Sequence, residues 1–230
     1  TPDAEAFRYA DEALTFATLN RRANGLAQQL LDNGARPGDR VGLLLPKCLE
    51  TAVSVYGCLK AGLIYVPLDV KAPVGRTIGI LEQAEIKHLI TIPAAVRLVS
   101  QLTEACALQQ VIGIEKPPEP TGTAVFKPFQ DIAELDVGPE VRLVEDHPAY
   151  LLYTSGSTGQ PKGILHSHRS GLAYARLAAA TYSVSAEDRL GNFAPLHFDQ
   201  STFEFFCGPM CGASVVLIPP VLPVTLATLA

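Results

Sequence analysis

Leu151-Leu152-Tyr153-Thr154-Ser155-Gly156-Ser157-Thr158-Gly159-Gln160-Pro161-Lys162-Gly163 is the stretch on which the reading of this chain turns. From Thr154 to Gly163, three glycines, four hydroxyl side chains and a lysine take eight of ten positions behind a short apolar run. Gly156, Gly159 and Gly163 keep Cβ atoms out of the path of an approaching anion. Thr154, Ser155, Ser157 and Thr158 add hydroxyl donors to the backbone N–H groups, and Lys162 adds a full positive charge. A hydrogen bond to a charged group contributes about 1.5–3 kcal/mol, so a few of them hold a polyphosphate. A Gly/Ser linker shares this composition, but it has no reason to lie between the strand-like run Tyr150 to Tyr153 and the β-compatible run Gly163 to His168. A Walker loop requires G-x-x-x-x-G-K-[ST] opening a helix. Here Gln160 and Pro161 separate Gly159 from Lys162, and Gly163 stands where the hydroxyl residue belongs. The stretch therefore reads as a glycine-rich turn between two strands.

Upstream of it, helices and strands alternate. Leu19, Ala23, Leu26, Ala27 and Leu30 follow one helix face, with Gly34 placed as a C-terminal stop. Val41 to Leu45 is continuously apolar, as suits a strand covered on both faces. A helix with Leu49, Ala52, Val53 and Tyr56 ends near Gly62 and feeds a strand, Ile64 to Leu68. Helix Arg76 to Ala84, strand His88 to Thr91, a Pro93-initiated helix to about Leu108 and strand Val111 to Ile114 follow. This order predicts an α/β fold with mostly parallel sheets flanked by helices. Residues 115–139, rich in Pro and Gly, read as a surface connection between an N-terminal α/β region (1–114) and a phosphate-loop and substrate-pocket region (140–230). In the latter, a helix from about Arg169 to Ala180, strand Arg189 to Phe193, a helix after Asp199 and strand Ser214 to Ile218 are expected. The uncharged end, Val221 to Ala230, gives the sequence the look of a truncated domain.

Composition narrows the class. A net charge of −5 and unclustered basic residues argue against nucleic acid or anionic membranes as partners. The 48% hydrophobic content supports one large domain or two small ones. Five cysteines, Cys48, Cys58, Cys106, Cys207 and Cys211, sit mostly in apolar patterns and point to a reducing, cytoplasmic compartment rather than a disulfide framework. Cys207 and Cys211 have the spacing of a metal pair, but no second pair accompanies them, so they read as structural thiols. The uncharged run from Phe205 to Ala230 is long enough to span a bilayer, yet Pro209, Pro219, Pro220 and Pro223 break it as a helix. No membrane span is expected.

Four stretches together resemble the adenylate-forming ligases, the superfamily of acyl-CoA synthetases, luciferases and nonribosomal peptide synthetase adenylation domains. Tyr153 to Gly163 is similar to their phosphate-binding signature. Leu14 to Leu19 and Leu59 to Asp69 resemble two earlier signatures, and Phe198-Asp199-Gln200-Ser201 resembles their substrate-pocket signature. The resemblance implies the N-terminal subdomains of the adenylate-forming fold and ATP-dependent conversion of a carboxylate to an acyl-adenylate with release of pyrophosphate. A thiol, either a carrier-protein phosphopantetheine or coenzyme A, then takes the acyl group.

On this resemblance, Thr154, Ser155, Gly156, Ser157, Thr158, Gly159, Lys162 and Gly163 cradle ATP. Lys162 is the candidate catalytic charge, and Thr158 the hydroxyl near Mg2+. Asp199 pairs with the α-ammonium of an amino-acid substrate, while Phe198, Gln200 and Phe203 line the pocket; a helix N-cap is the plainer role for Asp199. His197, in Ala194-Pro195-Leu196-His197, looks partly like an acyl-CoA synthetase pattern, so a fatty or aryl acid substrate is the alternative. His166 and His168, two apart, are expected on one strand face in supporting or surface roles. The later acidic metal-binding motif, the ribose-binding aspartate and the lysine of the mobile C-terminal domain are missing from the sequence. The 230 residues alone are therefore expected to be poorly active or inactive, or to serve as a non-catalytic nucleotide-binding module.

Overall fold

The computed structural model describes residues 1–117, 123–154 and 161–219. Two sheets are present. The larger has seven strands in the order β7 (Val125–Lys127), β6 (Gln110–Ile112), β5 (His88–Ile90), β3 (Arg40–Leu43), β4 (Ile64–Pro67), β8 (Pro148–Thr154), β9 (Lys162–Ser167). Every neighbouring pair is parallel except β8 and β9. The smaller sheet runs β10 (Arg189–Asn192), β11 (Ser214–Leu217), β1 (Glu5–Tyr9), β2 (Glu12–Thr15), and only β2 is antiparallel to its neighbour.

Continuous apolar strands need cover on both faces, and the helices supply it. Leu43 points into a core with α1 (Phe16–Asp32) and α2 (Leu49–Lys60). Leu44 points into a second core with α3 (Val74–Gln83) and α4 (Val96–Ala105). The first core also takes Phe7, Val215 and Leu217 from the smaller sheet, so α1 and α2 lie between the two sheets. Thr15 caps α1, its hydroxyl accepting from the Thr18 amide at 3.1 Å. Gly34 follows the helix with φ +92°, the left-handed geometry that closes a helix end.

The alternation read from the sequence is present, with three differences. Val125–Lys127, inside the stretch read as a connection, pairs in parallel with β6 and extends the large sheet. The boundary at 115–139 does not separate the sheets: β8 and β9 complete the large sheet, while β1 and β2 join β10 and β11. The helix after Asp199 is a π turn, Phe203–Cys207, running into α6 (Gly208–Cys211). A π turn is a single turn set inside a helix, too short for a pattern of apolar residues to reveal it. The last long helix, α5 (His168–Tyr182), is capped by the Ser167 hydroxyl, which accepts from the Ser170 amide at 3.2 Å.

Candidate active site

Going out from β3, the chain adds β4 on one side and then β5 on the other, with α2 and α3 on opposite faces. Such a reversal leaves a crevice beyond the carboxyl ends of the strands. A cavity of about 700 Å³, within the size range of ligand pockets, opens beside that point, beyond the carboxyl ends of β4 and β8. Three walls form it. Asp69, Lys71 and Arg76 come from the end of β4 and the start of α3; Thr154, Ile164 and His166 from β8 and β9; His197, Phe198 and Asp199 from the loop after β10.

Each wall has its own support. In the first, the Asp69 carboxylate accepts from the Lys71 amide at 2.9 Å, which fixes the turn. In the second, three rings in direct cross-strand register stack across β4, β8 and β9. Tyr65 lies 5.4 Å from Tyr150, and Tyr150 lies 4.5 Å from His166 with only 5° between the planes. In the third, the Ser201 hydroxyl donates toward the Phe198 and Leu196 carbonyls at 2.7 and 3.1 Å, and the Thr202 hydroxyl donates to the Asp199 carbonyl at 2.6 Å.

Thr154 is the last residue of β8, and its hydroxyl points to the Lys162 carbonyl at 3.4 Å across the ladder. Lys162 is exposed at the opening of β9, followed by Gly163 opposite Tyr153. Ser155, Gly156, Ser157, Thr158 and Gly159, assigned to ATP and Mg2+ from the sequence, lie outside the described residues. Phe198 and Asp199 meet Thr154 in the crevice. Gln200 is exposed and is not part of its walls, and Phe203 turns away to meet the Tyr182 ring edge-on at 5.5 Å. His166 and His168 part company, because β9 ends at Ser167 and His168 opens α5.

The electrostatics are mixed. His197 Nε2 lies 3.9 Å from the Asp69 carboxylate; burial lowers the His197 pKa, Asp69 opposes the shift and Arg76 adds to it. Burial also lowers the pKa of His166, with the Asp199 charge opposing. Sequence reasoning missed Asp69, Lys71 and Arg76 as wall residues, although Asp69 ends the Leu59 to Asp69 signature. It also missed Lys47, whose ammonium reaches the base of the third wall. Cys207 is buried and its thiol is pushed up to about 11 by that burial. Among the described residues no group of three His, Cys, Asp or Glu side chains is arranged to hold a metal, and no helix is long and apolar enough to cross a membrane.

Mostly parallel sheets flanked by helices in this order are the N-terminal subdomain architecture of the adenylate-forming fold. The AMP-binding enzyme family profile matches residues 1–229, and the chain belongs to that family. It is 34% identical over 220 residues to the pyochelin synthetase PchE of Pseudomonas aeruginosa, covering 94% of this chain and 13% of that protein. The AMPPNP-bound nonribosomal peptide synthetase FmoA3 superposes with TM-score 0.80 at 33% identity, over 98% of this chain and 22% of its own. The inhibitor-bound N-terminal domain of FACL13 from Mycobacterium tuberculosis superposes with TM-score 0.82 at 25% identity, over 99% and 56%. The chain thus spans a minor part of the synthetases and about half of the FACL13 chain it matches.

Proposed function

We propose that the polypeptide carrying this chain activates an amino acid as its acyl-adenylate, using ATP and releasing pyrophosphate, and passes the acyl group to a thiol. One observation carries the reading: the Phe198–Asp199 loop and Thr154, the root of the phosphate loop, wall the same crevice. A carboxylate held near Asp199 through its α-ammonium then lies beside the phosphates it must attack.

The chemical obstacle is the approach of one anion to another, so fixed donors must absorb charge as it develops. Thr154 and Lys162 stand at the two ends of the loop and supply a hydroxyl and an ammonium there. Asp199 orients the substrate by a charge-assisted hydrogen bond, while Phe198 offers an apolar surface beside it. The crevice has room for a nucleotide and an amino acid. Mg2+, when bound, neutralises phosphate oxygens, and Thr158 is the residue assigned to it. The acceptor thiol is a carrier-protein phosphopantetheine or coenzyme A.

Pyrophosphate exchange by the full-length protein across a panel of amino acids and simple carboxylic acids tests the reading. Asp199→Ala is expected to lower kcat/KM for amino acids about 10- to 150-fold, the equivalent of one charged hydrogen bond of 1.5–3 kcal/mol. Unchanged exchange with amino acids would refute it. The alternative, a fatty or aryl acid ligase, is favoured by His197 beside Asp69. That enzyme would activate simple acids and tolerate the Asp199 variant.

A further inference from the structure

Lys47 belongs to neither sheet and does not line the main crevice, yet from the base of the third wall it holds the loop that carries Asp199. It lies between β3 and α2, and its Nζ donates to the Asn192 carbonyl at 2.9 Å and to the Phe193 carbonyl, where β10 gives way to the loop. Asn192, 1% exposed, donates from Nδ2 to the Glu204 carboxylate at 3.2 Å. Glu204 is 6% exposed and lies in the π turn that follows the loop. One ammonium therefore fixes the start of the loop directly and its end through Asn192. Tyr56 of α2, one helix away along the same connection, adds a second tie by donating to the Phe205 carbonyl.

Packing does not explain this residue. An ammonium has three donors and no acceptor, and this one is half-buried, so it gives up part of its hydration. Burial lowers its pKa, with the Glu204 charge only partly opposing. An apolar side chain would fill the same space without that cost. What a cationic donor supplies and an apolar side chain cannot is a bond to two successive carbonyls, which sets the direction in which the chain leaves β10. The π turn at the other end is a second departure from regular geometry, of the kind that recurs at functional sites.

We infer that Lys47 is a positioning residue: it clamps residues 193–203 so that Asp199 faces the phosphate-loop side of the crevice. The inference rests on the amino-acid reading above and extends it to a residue outside the site. Loss of the clamp lets the loop drift, and a displacement of about 1 Å at a reacting group costs up to about 100-fold in rate.

The test is Lys47→Met in the full-length protein, alone and with Asp199→Ala. Expected are a fall in kcat/KM for amino acids of about 10- to 100-fold, an ATP KM within about threefold of wild type, and no further loss when Lys47→Met is added to Asp199→Ala. Lys47→Arg should restore most of the activity. Amide exchange in residues 193–203 should accelerate in Lys47→Met and return toward wild type in Lys47→Arg, whatever the substrate. Equal losses in both backgrounds, an equal effect on ATP, or unchanged amide exchange would overturn the clamp. Failure of Asp199→Ala to affect amino acids, with faster exchange in Lys47→Met, would overturn the amino-acid reading and leave the clamp standing. If Lys47→Met does not fold, Lys47→Arg decides: it keeps the charge and the bonds, so an Arg variant that folds with an unprotected loop refutes the role.

Discussion

Replacing Gly25 with Ala sets two magnitudes against each other. Gly25 is buried in the middle of α1, where Ala is preferred to Gly by about 1 kcal/mol in an isolated helix. A Cβ built at this position lies 1.8 Å from the Ala133 carbonyl oxygen and 3.0 Å from its carbon. Ordinary contact begins near 3.5 Å, so residues 132–136 must retreat by roughly 1.5–2 Å. That segment is held to α1 by four bonds: Leu135 amide to Arg21 carbonyl at 3.1 Å, Asn24 Nδ2 to the Leu135 and Asp136 carbonyls at 2.9 and 3.2 Å, and Arg21 to Glu134 at 3.0 Å. At about 1 kcal/mol for each hydrogen bond and about 0.5 for the exposed ion pair, some 3–4 kcal/mol is at risk. Subtracting the helix gain leaves a net loss of about 2–3 kcal/mol, or a Tm lower by about 4–12 °C for a domain of this size. The matched control is Gly79→Ala on α3, where a Cβ meets nothing within 4 Å; there the helix gain should stand alone and raise stability by about 0.5–1 kcal/mol. Urea and thermal unfolding of both variants decide it. A Gly25→Ala protein as stable as wild type would show that the 132–136 segment yields freely and that the packing argument is wrong.

Lys162→Ala in the full-length protein should lower carboxylate-dependent pyrophosphate exchange by at least about tenfold, from the loss of one charged contact, and unchanged exchange would remove Lys162 from the site. The second prediction concerns pH. His88 is 2% exposed, its Nδ1 faces the Gln110 side-chain Oε1 at 3.2 Å, and burial lowers its pKa. The unfolded chain takes up this proton near pH 6.5 and the folded chain only below that. Between the two values the unfolded state binds more protons, so stability falls as pH falls through 6.5 and levels off below the folded pKa. His166, His168 and His197, also lowered by burial, act with the same sign. Glu204, raised by burial, opposes them from about its folded pKa down to about 4.5. Urea midpoints measured from pH 8 to 5 should decline, and His88→Gln should flatten part of that decline; a flat wild-type profile would contradict the burial argument.

How far the sequence reaches depends on how local each feature is. Leu43 and Leu44 point to opposite faces, so a strand with two covered faces was legible from its unbroken apolar run. The α1 core face, Leu19 to Leu30, was legible from its period, and Thr15 and Gly34 mark its ends. The hairpin of β1 and β2 was not read, because β1 is stabilised by β11, some two hundred residues away, and its own pattern is short. Val125–Lys127 was hidden in the same way: it is a three-residue strand at the sheet edge, in a stretch where Pro and Gly dominate the local signal. At the site, Phe198, Asp199 and Thr154 were legible as motifs. Their meeting with Asp69 and Arg76, and the reach of Lys47 to β10, depend on which strands become neighbours, and that is not encoded in any local spacing. Phe203 shows the converse: one helical turn from Asp199 by spacing, it packs on Tyr182 instead.

The three walls of the crevice differ in what fixes them, and this sets how each should respond to a disturbance. The β4 wall rises from a strand buried on both faces, and the β8–β9 wall carries a ring stack that ends on Tyr65, 1% exposed in the core. The Asp199 wall has thinner backing: Leu196 packs on the first core, but Phe193 and Phe198 are 56% and 55% exposed, so polar bonds from Lys47, Ser201 and Thr202 carry much of the loop. Segments with few buried apolar contacts open at the least cost. Local opening should therefore begin in residues 193–199, while β4, β8 and β9 stay closed, and amide exchange should be fastest there. A ligand bound against Phe198 and Asp199 would then close the least stable wall, and exchange in residues 193–199 should slow on its binding.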